Sequence, residues 1–298
     1  MILETLSFPP AGRSFAGGEA MADHVRLAFP LPAGAGRPGE DAAPPVALLS
    51  LAAAGDMRYV EAVENPRRTA FFRAIGIDPA KVLGTELRHT RRVLVRQKNG
   101  ERVFGPVRTG DAVRGSYDGI LAEDGFAASI TVADCMPIWI WDPHSGVFGV
   151  LHSGWKGTGI LAVAVRALEE LYGSPPGGIS VILGPAIGTC CYPVPRERAE
   201  GFALEFGPDA VAESDGLPRL DLRAANIGMA KKLGLGALLS LDACTSCDPR
   251  LGSFRREGPT SFTRMVALAA GPSVFAVDGS PSPSGAIGVG LVPGVDPR

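Results

Sequence analysis

The sequence predicts an α+β fold: one large mixed-sheet domain with flanking helices, arranged as a layered α/β sandwich. Three observations lead to this prediction. The 298 residues are 46% hydrophobic and 20% charged, a globular composition that supports a sizeable core. Five short apolar stretches have the length and residue types of strands, and three longer stretches show helical periodicity. Strand-like and helical patterns interchange along the chain, which indicates a mixed architecture.

The strands are predicted at 127–132, 137–141, 147–151, 179–183 and 237–241. They can form one sheet or two, because periodicity does not fix their pairing. The first helix is predicted over 65–75 and the second over 158–172, where Gly173 and the two prolines after it end the helix. The third helix follows Asp221, a good N-cap residue, and ends before Gly234.

Two segments are predicted to lack regular structure. Half of the residues from Pro30 to Pro45 are Gly or Pro, which breaks helices and central strands. The end of the chain from Gly279 has a similar Gly, Ser and Pro content. We therefore divide the chain into an N-terminal segment over 1–47, a catalytic domain over 48–278 and a tail over 279–298.

Composition excludes several function classes. Lys and Arg number 29 against 31 Asp and Glu, so no basic excess favours nucleic acid or an anionic membrane. No apolar run approaches the roughly 18 residues of a membrane span. The first residues have neither a basic region nor a continuous apolar region, as a secretion signal requires, so a cytoplasmic protein is expected.

The most informative stretch runs from Thr131 to Thr158. One predicted strand ends at Asp134 and Cys135, and a hairpin follows whose second strand ends at His152. Adjacent antiparallel strands bring Cys135 and His152 to the same end of the hairpin. A thiolate and a neutral imidazole are good zinc ligands, and a catalytic zinc keeps three protein ligands and one open position. His89 is a candidate third ligand, because a short strand before it can run beside the hairpin.

Glycine-rich and cysteine-rich turns are weaker signals. The turn Gly154-Trp155-Lys156-Gly157-Thr158 lies between a strand and a helix, where backbone N–H groups can meet an anion, although a simple capping loop fits as well. Cys244-Thr245-Ser246-Cys247 has the spacing of a zinc knuckle. The chain has no second pair with that spacing, so no four-cysteine zinc site is expected there.

Several motifs in one order resemble a known family. They are Ala133-Asp134-Cys135-Met136-Pro137, then His152-Ser153-Gly154-Trp155-Lys156-Gly157-Thr158, then Leu183-Gly184-Pro185-Ala186-Ile187 followed by Tyr192-Pro193-Val194. Together with Gly55-Asp56, Asp118-Gly119, Cys244-Thr245 and Arg255-Arg256, they closely resemble the polyphenol oxidase (laccase-domain) family. Its members are also called purine nucleoside phosphorylases or peptidoglycan editing factors. The resemblance covers about residues 48–265.

The resemblance implies a metal site at His89, Cys135 and His152, with zinc as the ion rather than copper. It implies phosphorolysis of purine nucleosides, including methylthioadenosine, and deamination of adenosine, with a nucleoside and phosphate as the ligands. The candidate catalytic residues are Asp134, Lys156, Arg255 and Arg256. The candidate substrate- or phosphate-binding residues are Gly154, Trp155, Gly157, Thr158 and Arg264.

The sequence departs from the family pattern in three places. The early Arg-x-Gly-Gly loop has no clean counterpart between Arg26 and Gly39. Lys156 stands where Arg is usual, and Thr263 stands where Gly is usual. The first departure matters most, because that loop helps to bind substrate or phosphate in the family.

Other functions fit the same residues. Cys135 activated by His152 would make a cysteine hydrolase or deamidase, with Asp134 or Asp118 orienting the imidazole. A protein that edits or binds a peptidoglycan precursor is a further alternative, although no sugar site is identifiable. Multicopper electron transfer fits least, because the chain has only 4 histidines. The sequence does not indicate an oligomeric state.

Overall fold

A computed structural model describes residues 1–8, 23–32, 44–106, 116–275 and 286–289, the last group by its backbone. The strands are β1 (Ile2–Ser7), β2 (His24–Leu27), β3 (Val46–Ser50), β4 (Val82–Leu83), β5 (Val93–Gln97), β6 (Gly100–Phe104), β7 (Gly119–Ala122), β8 (Ala127–Val132), β9 (Met136–Trp141), β10 (Phe148–Ser153), β11 (Ser180–Leu183), β12 (Val211–Ser214), β13 (Leu217–Leu220), β14 (Ala237–Asp242), β15 (Met265–Ala270) and β16 (Ala286–Val289). The helices are α1 (Pro66–Ala74), α2 (Ile160–Tyr172), α3 (Arg196–Phe206), α4 (Leu222–Leu233) and α5 (Phe254–Glu257). None of the helices in these ranges is both long and apolar enough to cross a membrane.

The strands form two large mixed sheets and one small ribbon. The larger sheet has eight strands in the order β1-β14-β11-β9-β10-β7-β5-β6, and the second has six in the order β16-β2-β3-β15-β8-β4. The ribbon pairs β12 with β13. The large sheet contains parallel pairs, such as β11 with β14, beside the antiparallel hairpin of β9 and β10.

The core lies in three apolar clusters that separate the layers. One cluster fills the space between the two sheets and includes Trp139, Trp141 and Leu49. A second packs the outer face of the eight-stranded sheet against α2, α3 and α4. A third packs α1 against the outer face of the six-stranded sheet. The structure confirms the predicted α+β layered sandwich, with the strands at its centre and helices on both sides.

The predicted elements lie within two residues of the observed ones. The predicted end signals Asp221, Gly173 and Gly234 act as expected, and Asn65 proves to be a further helix cap. Asn65 accepts hydrogen bonds from two backbone N–H groups at the start of α1, and Asp221 accepts one from Ala224 at the start of α4. Gly173 and Gly234 end α2 and α4 with left-handed φ angles of 66° and 71°. The five predicted strands divide between the sheets, because β8 belongs to the six-stranded sheet and the other four to the eight-stranded one.

The sequence analysis missed α3, α5 and the remaining strands except the short one expected between Leu83 and His89. The structure places that strand earlier, at β4, where it pairs with β8 and not with the hairpin of β9 and β10. The expectation that the chain lacks regular structure from Gly279 onward is wrong at Ala286–Val289, where β16 pairs in parallel with β2. Within the Pro30 to Pro45 segment, the described residues 30–32 and 44–45 carry no helix or strand, as expected. Residues 33–43 lie outside the described part, and with them half of the segment from Arg26 to Gly39, in which the family's Arg-x-Gly-Gly loop has no clean counterpart.

Gly149 shows how closely the central strands approach. A Cβ atom at this position would overlap the Ile120 carbonyl oxygen of β7 and lie 2.9 Å from Leu121 Cα. We expect Gly149→Ala to lower the free energy of unfolding by about 1–3 kcal/mol, because backbone atoms must move apart. Gly201→Ala in α3 is the control: its Cβ would have no neighbour within 4 Å, so stability should rise by about 0.5–1 kcal/mol. Denaturant unfolding measures both, and equal effects would contradict the packing described.

Candidate metal centre and cavity

His89, Cys135 and His152 meet where the loop before β5 approaches the start of β9 and the end of β10. Their ligand atoms all lie within 4.8 Å of one another, and Cys135 Sγ is 3.9 Å from His89 Nε2. Cys135 immediately precedes β9, and His152 pairs with Pro137 near the end of β10. The hairpin register therefore brings Cys135 and His152 together, as the sequence predicts.

Cys135 also lies where the chain passes from one sheet to the other. β8 ends in the six-stranded sheet and β9 begins in the eight-stranded sheet, so residues 133–135 form the crossing. Asp134 has a φ of 82° there, a left-handed conformation that Asp tolerates better than most residues. This sharp turn places the thiol at the edge of both sheets.

Asp118 holds both histidines. Its fully buried carboxylate accepts hydrogen bonds from the backbone N–H groups of Arg88, His89 and Thr90 at 3.0, 2.8 and 2.7 Å. The Thr90 hydroxyl donates a further bond at 2.6 Å. These bonds fix the loop in which His89 has a φ of 58°. His152 Nδ1 lies 3.3 Å from the same carboxylate, which leaves Nε2 as the nitrogen for a metal.

The charges in the group support one another. Burial would raise the pKa of Asp118, but the hydrogen bonds from His152 and Thr90 hold it below its ordinary value. Burial would lower the pKa of His152, but the Cys135 thiolate and Asp118 raise it to about 10. Burial would raise the pKa of Cys135, but His152 and His89 lower it to about 6. In the absence of a metal, these opposite shifts favour a thiolate–imidazolium pair of Cys135 and His152.

The glycine-rich turn after β10 makes room for this group. A Cβ at Gly154 would lie 2.6 Å from Cys135 Sγ, and one at Gly157 would lie 3.0 Å from the His152 carbonyl oxygen. The N–H and hydroxyl of Thr158 both donate to the Gly154 carbonyl, at 2.7 and 2.8 Å. The N–H and hydroxyl of Thr158 are therefore used within the turn. Their hydrogen bonds hold the turn in place beside Cys135 and His152.

Asp134 has a different position from the one expected of a residue that orients a ligand histidine. Its Oδ1 accepts bonds from the Thr245 and Ser253 hydroxyls at 2.6 and 2.7 Å, and its Oδ2 accepts the Arg255 N–H at 2.6 Å. Asp118 orients His152 instead. Asp134 fastens the sheet crossing to the loops after β14.

A cavity of about 850 Å³ opens over the three ligands. Aromatic and basic side chains make up about half of its lining residues. The aromatic residues are Tyr59, Trp155, Tyr192, Phe254 and Phe262, and the basic ones are Arg58, Arg88, Lys156, Arg198, Arg255 and Arg264. The sequence analysis missed Arg58, Arg88 and Arg198, because isolated arginines outside a motif look like surface charges.

The predicted anion-binding residues separate into two groups. The Lys156 ammonium lies 5.3 Å from the Trp155 ring and the Arg255 guanidinium 5.8 Å from the Tyr192 ring, both at the cavity. Arg264 lines the cavity too, and it pairs with Asp56 at 3.0 Å. Arg256 is not among the lining residues. Its guanidinium donates to the carbonyls of Thr245, Ser246, Asp248 and Leu251, so Arg256 supports that loop.

A second group of thiols lies elsewhere. The Sγ atoms of Cys190, Cys191, Cys244 and Cys247 are all within 4.8 Å of one another. The sequence analysis expected no four-cysteine group, because it looked for a second C-x-x-C pair. That reasoning was wrong about the partners, since the fold supplies the adjacent cysteines Cys190 and Cys191.

The donor set of the first group suits a metal with an open coordination position. One thiolate and two imidazoles match zinc, and the fully bonded Asp118 behind His152 is the support that zinc histidines usually have. The fold and this centre define a two-sheet α+β protein in which three residues that could hold a metal ion lie beneath a cavity with basic and aromatic lining residues.

Comparison with known families shows to which family the chain belongs. A family model described as multi-copper polyphenol oxidoreductase laccase matches residues 38–270, and the chain belongs to this family. This confirms the resemblance seen in the sequence motifs.

Two relatives carry the same functional name. The chain is 37% identical over 193 residues to a purine nucleoside phosphorylase of Streptomyces coelicolor, covering 63% of this chain and 75% of the relative. It is 32% identical over 233 residues to a purine nucleoside phosphorylase of Mus musculus, covering 74% of this chain and 50% of the relative. The chain thus spans half the length of the mouse protein.

Solved structures agree on the fold. YlmD from Geobacillus stearothermophilus superposes with a TM-score of 0.64 at 25% identity, covering 78% of this chain and 94% of that one. The Bacillus licheniformis protein YfiH superposes with a TM-score of 0.62 at 24% identity, covering 76% and 92%.

Asp118 should govern metal affinity, and Asp134 should not. We expect Asp118→Asn to weaken zinc binding about 10- to 100-fold, because an amide cannot accept all the donors that surround the carboxylate. Asp134→Asn is the matched comparison and should weaken zinc binding less, because the Asp134 carboxylate bonds the loops after β14 and neither of the two histidines. Competition with a chromophoric chelator measures both, with His89→Ala, Cys135→Ser and His152→Ala as references that lose most of the zinc. A larger loss from Asp134→Asn would contradict this assignment.

The lowered pKa of Cys135 is testable in metal-free protein. A thiolate reacts and a thiol does not, so the alkylation rate of Cys135 should rise through pH 6, well below the usual range of about 8–9. His152→Ala should move this midpoint upward, because the imidazolium no longer stabilises the thiolate. Iodoacetamide labelling with peptide mass spectrometry follows Cys135 alone, and zinc should suppress the reaction. A midpoint near the usual value would show that the pair does not form.

Proposed function

We propose that the protein is a zinc-dependent purine nucleoside phosphorylase, with adenosine deaminase and methylthioadenosine phosphorylase activity as further reactions of the same site. One observation carries the proposal: the Cys-His-His group opens onto a cavity of about 850 Å³ lined by aromatic rings and cations. The aromatic rings suit a planar purine base, and the cations suit a phosphate anion bound beside it. The relatives named purine nucleoside phosphorylase support the same substrate class.

Phosphate binding is assigned to the cations at the cavity. In phosphorolysis a phosphate oxygen bonds to the anomeric carbon of the ribose, the bond from that carbon to the purine nitrogen breaks, and the base leaves with a proton. The phosphate must be held against the sugar before that exchange. Arg255 and Arg198 carry planar guanidinium groups that can hold two oxygens each, while Lys156 holds one.

Aromatic side chains suit the purine. The Phe254 and Phe262 rings pack edge to face with centroids 5.0 Å apart, and both line the cavity. A purine can stack on such rings, which contributes about 0.5–1.5 kcal/mol beyond the area that it buries. These two residues lie beside Arg255 and Arg264 in sequence, so base and phosphate would be held by one segment.

His89, Cys135 and His152 would hold the zinc. When bound, zinc supplies a Lewis acid that stabilises negative charge at an oxygen or nitrogen of the substrate or of water, which suits both departure of the base and deamination. Asp118 keeps the proton on His152 Nδ1, so that Nε2 remains a ligand. The surrounding side chains exclude water from one side, since His152 is 3% exposed.

A Cys-His hydrolase or deamidase is the second candidate, and one observation favours it. The pKa of Cys135 is lowered to about 6 beside His152, as in an activated thiol nucleophile, and Asp118 orients the imidazole. Metal content separates the two functions, because a thiolate bound to zinc is a poor nucleophile. Hydrolytic activity that persists in zinc-free protein would favour this candidate.

The phosphorylase proposal is tested with adenosine and inosine at increasing phosphate. We expect saturable, phosphate-dependent release of free base and ribose 1-phosphate. Arg255→Ala should raise the KM for phosphate about tenfold or more, the equivalent of one charge-assisted hydrogen bond of about 1.5 kcal/mol. Lys156→Arg should retain or improve phosphate use. Because the chain lacks the family's Arg-x-Gly-Gly loop, the phosphate requirement should be high, with deamination less affected.

Arg166→Ala is the control for charge loss, because Arg166 is exposed on α2 and pairs with Glu170. It should not change the KM for phosphate. No turnover of either nucleoside by zinc-loaded protein would reject the proposal.

A further inference from the structure

The four-cysteine group is built by two loops at one edge of the large sheet. β11 and β14 are adjacent and parallel, so the loops that follow them leave at the same edge. The β11 loop carries Cys190 and Cys191, and the β14 loop carries Cys244 and Cys247. A single bridge between Ala186 and Cys244 keeps the two loops in register.

The sulfur positions match a single tetrahedral ion. Cys247 Sγ lies 3.6 Å from Cys190 Sγ and 3.4 Å from Cys191 Sγ, and all four atoms are within 4.8 Å of one another. A tetrahedron with Zn–S bonds of about 2.3 Å has sulfurs about 3.8 Å apart. A disulfide would require about 2.05 Å, and all four cysteines are free.

The backbone around the sulfurs has features of a metal–thiolate site. The Gly188 N–H donates to Cys244 Sγ at 3.2 Å, a bond that stabilises a thiolate. The N–H groups of Cys247 and Asp248 both donate to the Cys244 carbonyl, at 3.1 and 3.0 Å, which folds the C-x-x-C segment into a tight knuckle. Arg219 donates to the carbonyls of Thr189 and Cys190 at 3.1 and 2.8 Å, which holds the backbone of the first cysteine loop.

Gly188 is needed for this approach. A Cβ there would lie 3.2 Å from Cys244 Cβ and 3.3 Å from Cys190 Sγ, closer than side-chain atoms normally pack. The glycine therefore allows the two cysteine-bearing loops to converge. Burial of apolar surface does not explain why the four thiols converge, because Cys190 and Cys247 are exposed.

We propose that Cys190, Cys191, Cys244 and Cys247 bind a second zinc ion in a closed tetrathiolate site, separate from the centre at His89, Cys135 and His152. Four thiolates leave no open coordination position, so this ion is structural. It fastens two loops beside the cavity: Tyr192, which lines the cavity, follows Cys191 directly, and the Thr245 hydroxyl donates to Asp134, another lining residue. A single iron in the same four sulfurs is the competing occupant.

Elemental analysis tests the proposal in full-length protein purified under reducing conditions without added metal. Wild-type protein should contain about two zinc ions per chain, and both Cys190→Ser/Cys247→Ser and His89→Ala/His152→Ala should contain about one. About one zinc in wild-type protein that is lost only in the histidine variant would overturn the proposal. Iron in place of zinc would overturn the identity of the ion.

Cobalt binding tests the site without disturbing its cysteines. Cys135→Ala removes the fifth and last cysteine of the chain, so any cobalt–thiolate absorption in that variant arises from the four-cysteine group. We expect an intense charge-transfer band that saturates at about one cobalt per four-cysteine group. The band should be absent when Cys190→Ser/Cys247→Ser is added to the variant. It should also disappear when zinc displaces the cobalt. No such band, or disulfides in freshly reduced protein, would overturn the proposal. Neither readout depends on nucleoside turnover.

Discussion

The Asp118 carboxylate is the interaction on which the rest of the site depends. It is fully buried, and a buried charge costs several kcal/mol unless hydrogen bonds and opposite charge compensate it. Its donors come from the loop of His89, and its charge faces His152. The Asp118 backbone is fixed as well, because its N–H donates to Arg92 and its carbonyl accepts the His152 N–H. Folding therefore cannot satisfy this carboxylate without also placing both histidines.

The two-sheet architecture explains why the chemistry lies at an edge. The strands β9 and β10 are buried along their whole length, because each sheet packs on the other and helices cover both outer faces. Polar groups in the middle of such strands would have no partners. The ligands instead occupy the crossing between the sheets and the end of β10, where the cavity gives access to solvent and substrate. The buried strands thus hold the three residues in fixed positions. Because these residues lie at or beyond the strand ends, they remain accessible from the cavity.

Sequence reasoning predicted local features well because their causes are local. Asn65, Asp221, Gly173 and Gly234 mark helix ends by their own side chains or by their lack of one, and the β9–β10 hairpin follows from a short turn. The order of family motifs then supplied His89, Cys135 and His152. What the sequence did not reveal are pairings between distant segments. Strand β1, which lies beside β14, has no apolar run on which to base a prediction, and the role of Asp118 depends on donors 28 to 30 residues away.

Asp134 and the cysteine loops show how such distant pairings connect the two groups of thiols. The Asp134 carbonyl accepts the Ile187 N–H from the β11 loop, and its carboxylate accepts hydrogen bonds from Thr245, Ser253 and Arg255 after β14. The residue next to Cys135 is thereby bonded to both segments that the four cysteines bring together. A shift of the loop after β14 would break hydrogen bonds to a carboxylate that is 8% exposed, which costs about 1–3 kcal/mol or more when a buried charge loses its partner. A shift of the β11 loop would break the hydrogen bond from the Ile187 N–H to the Asp134 carbonyl. The sheet crossing and both loops are therefore held in one arrangement, and Arg255, which lines the cavity, is fixed there through its own backbone N–H.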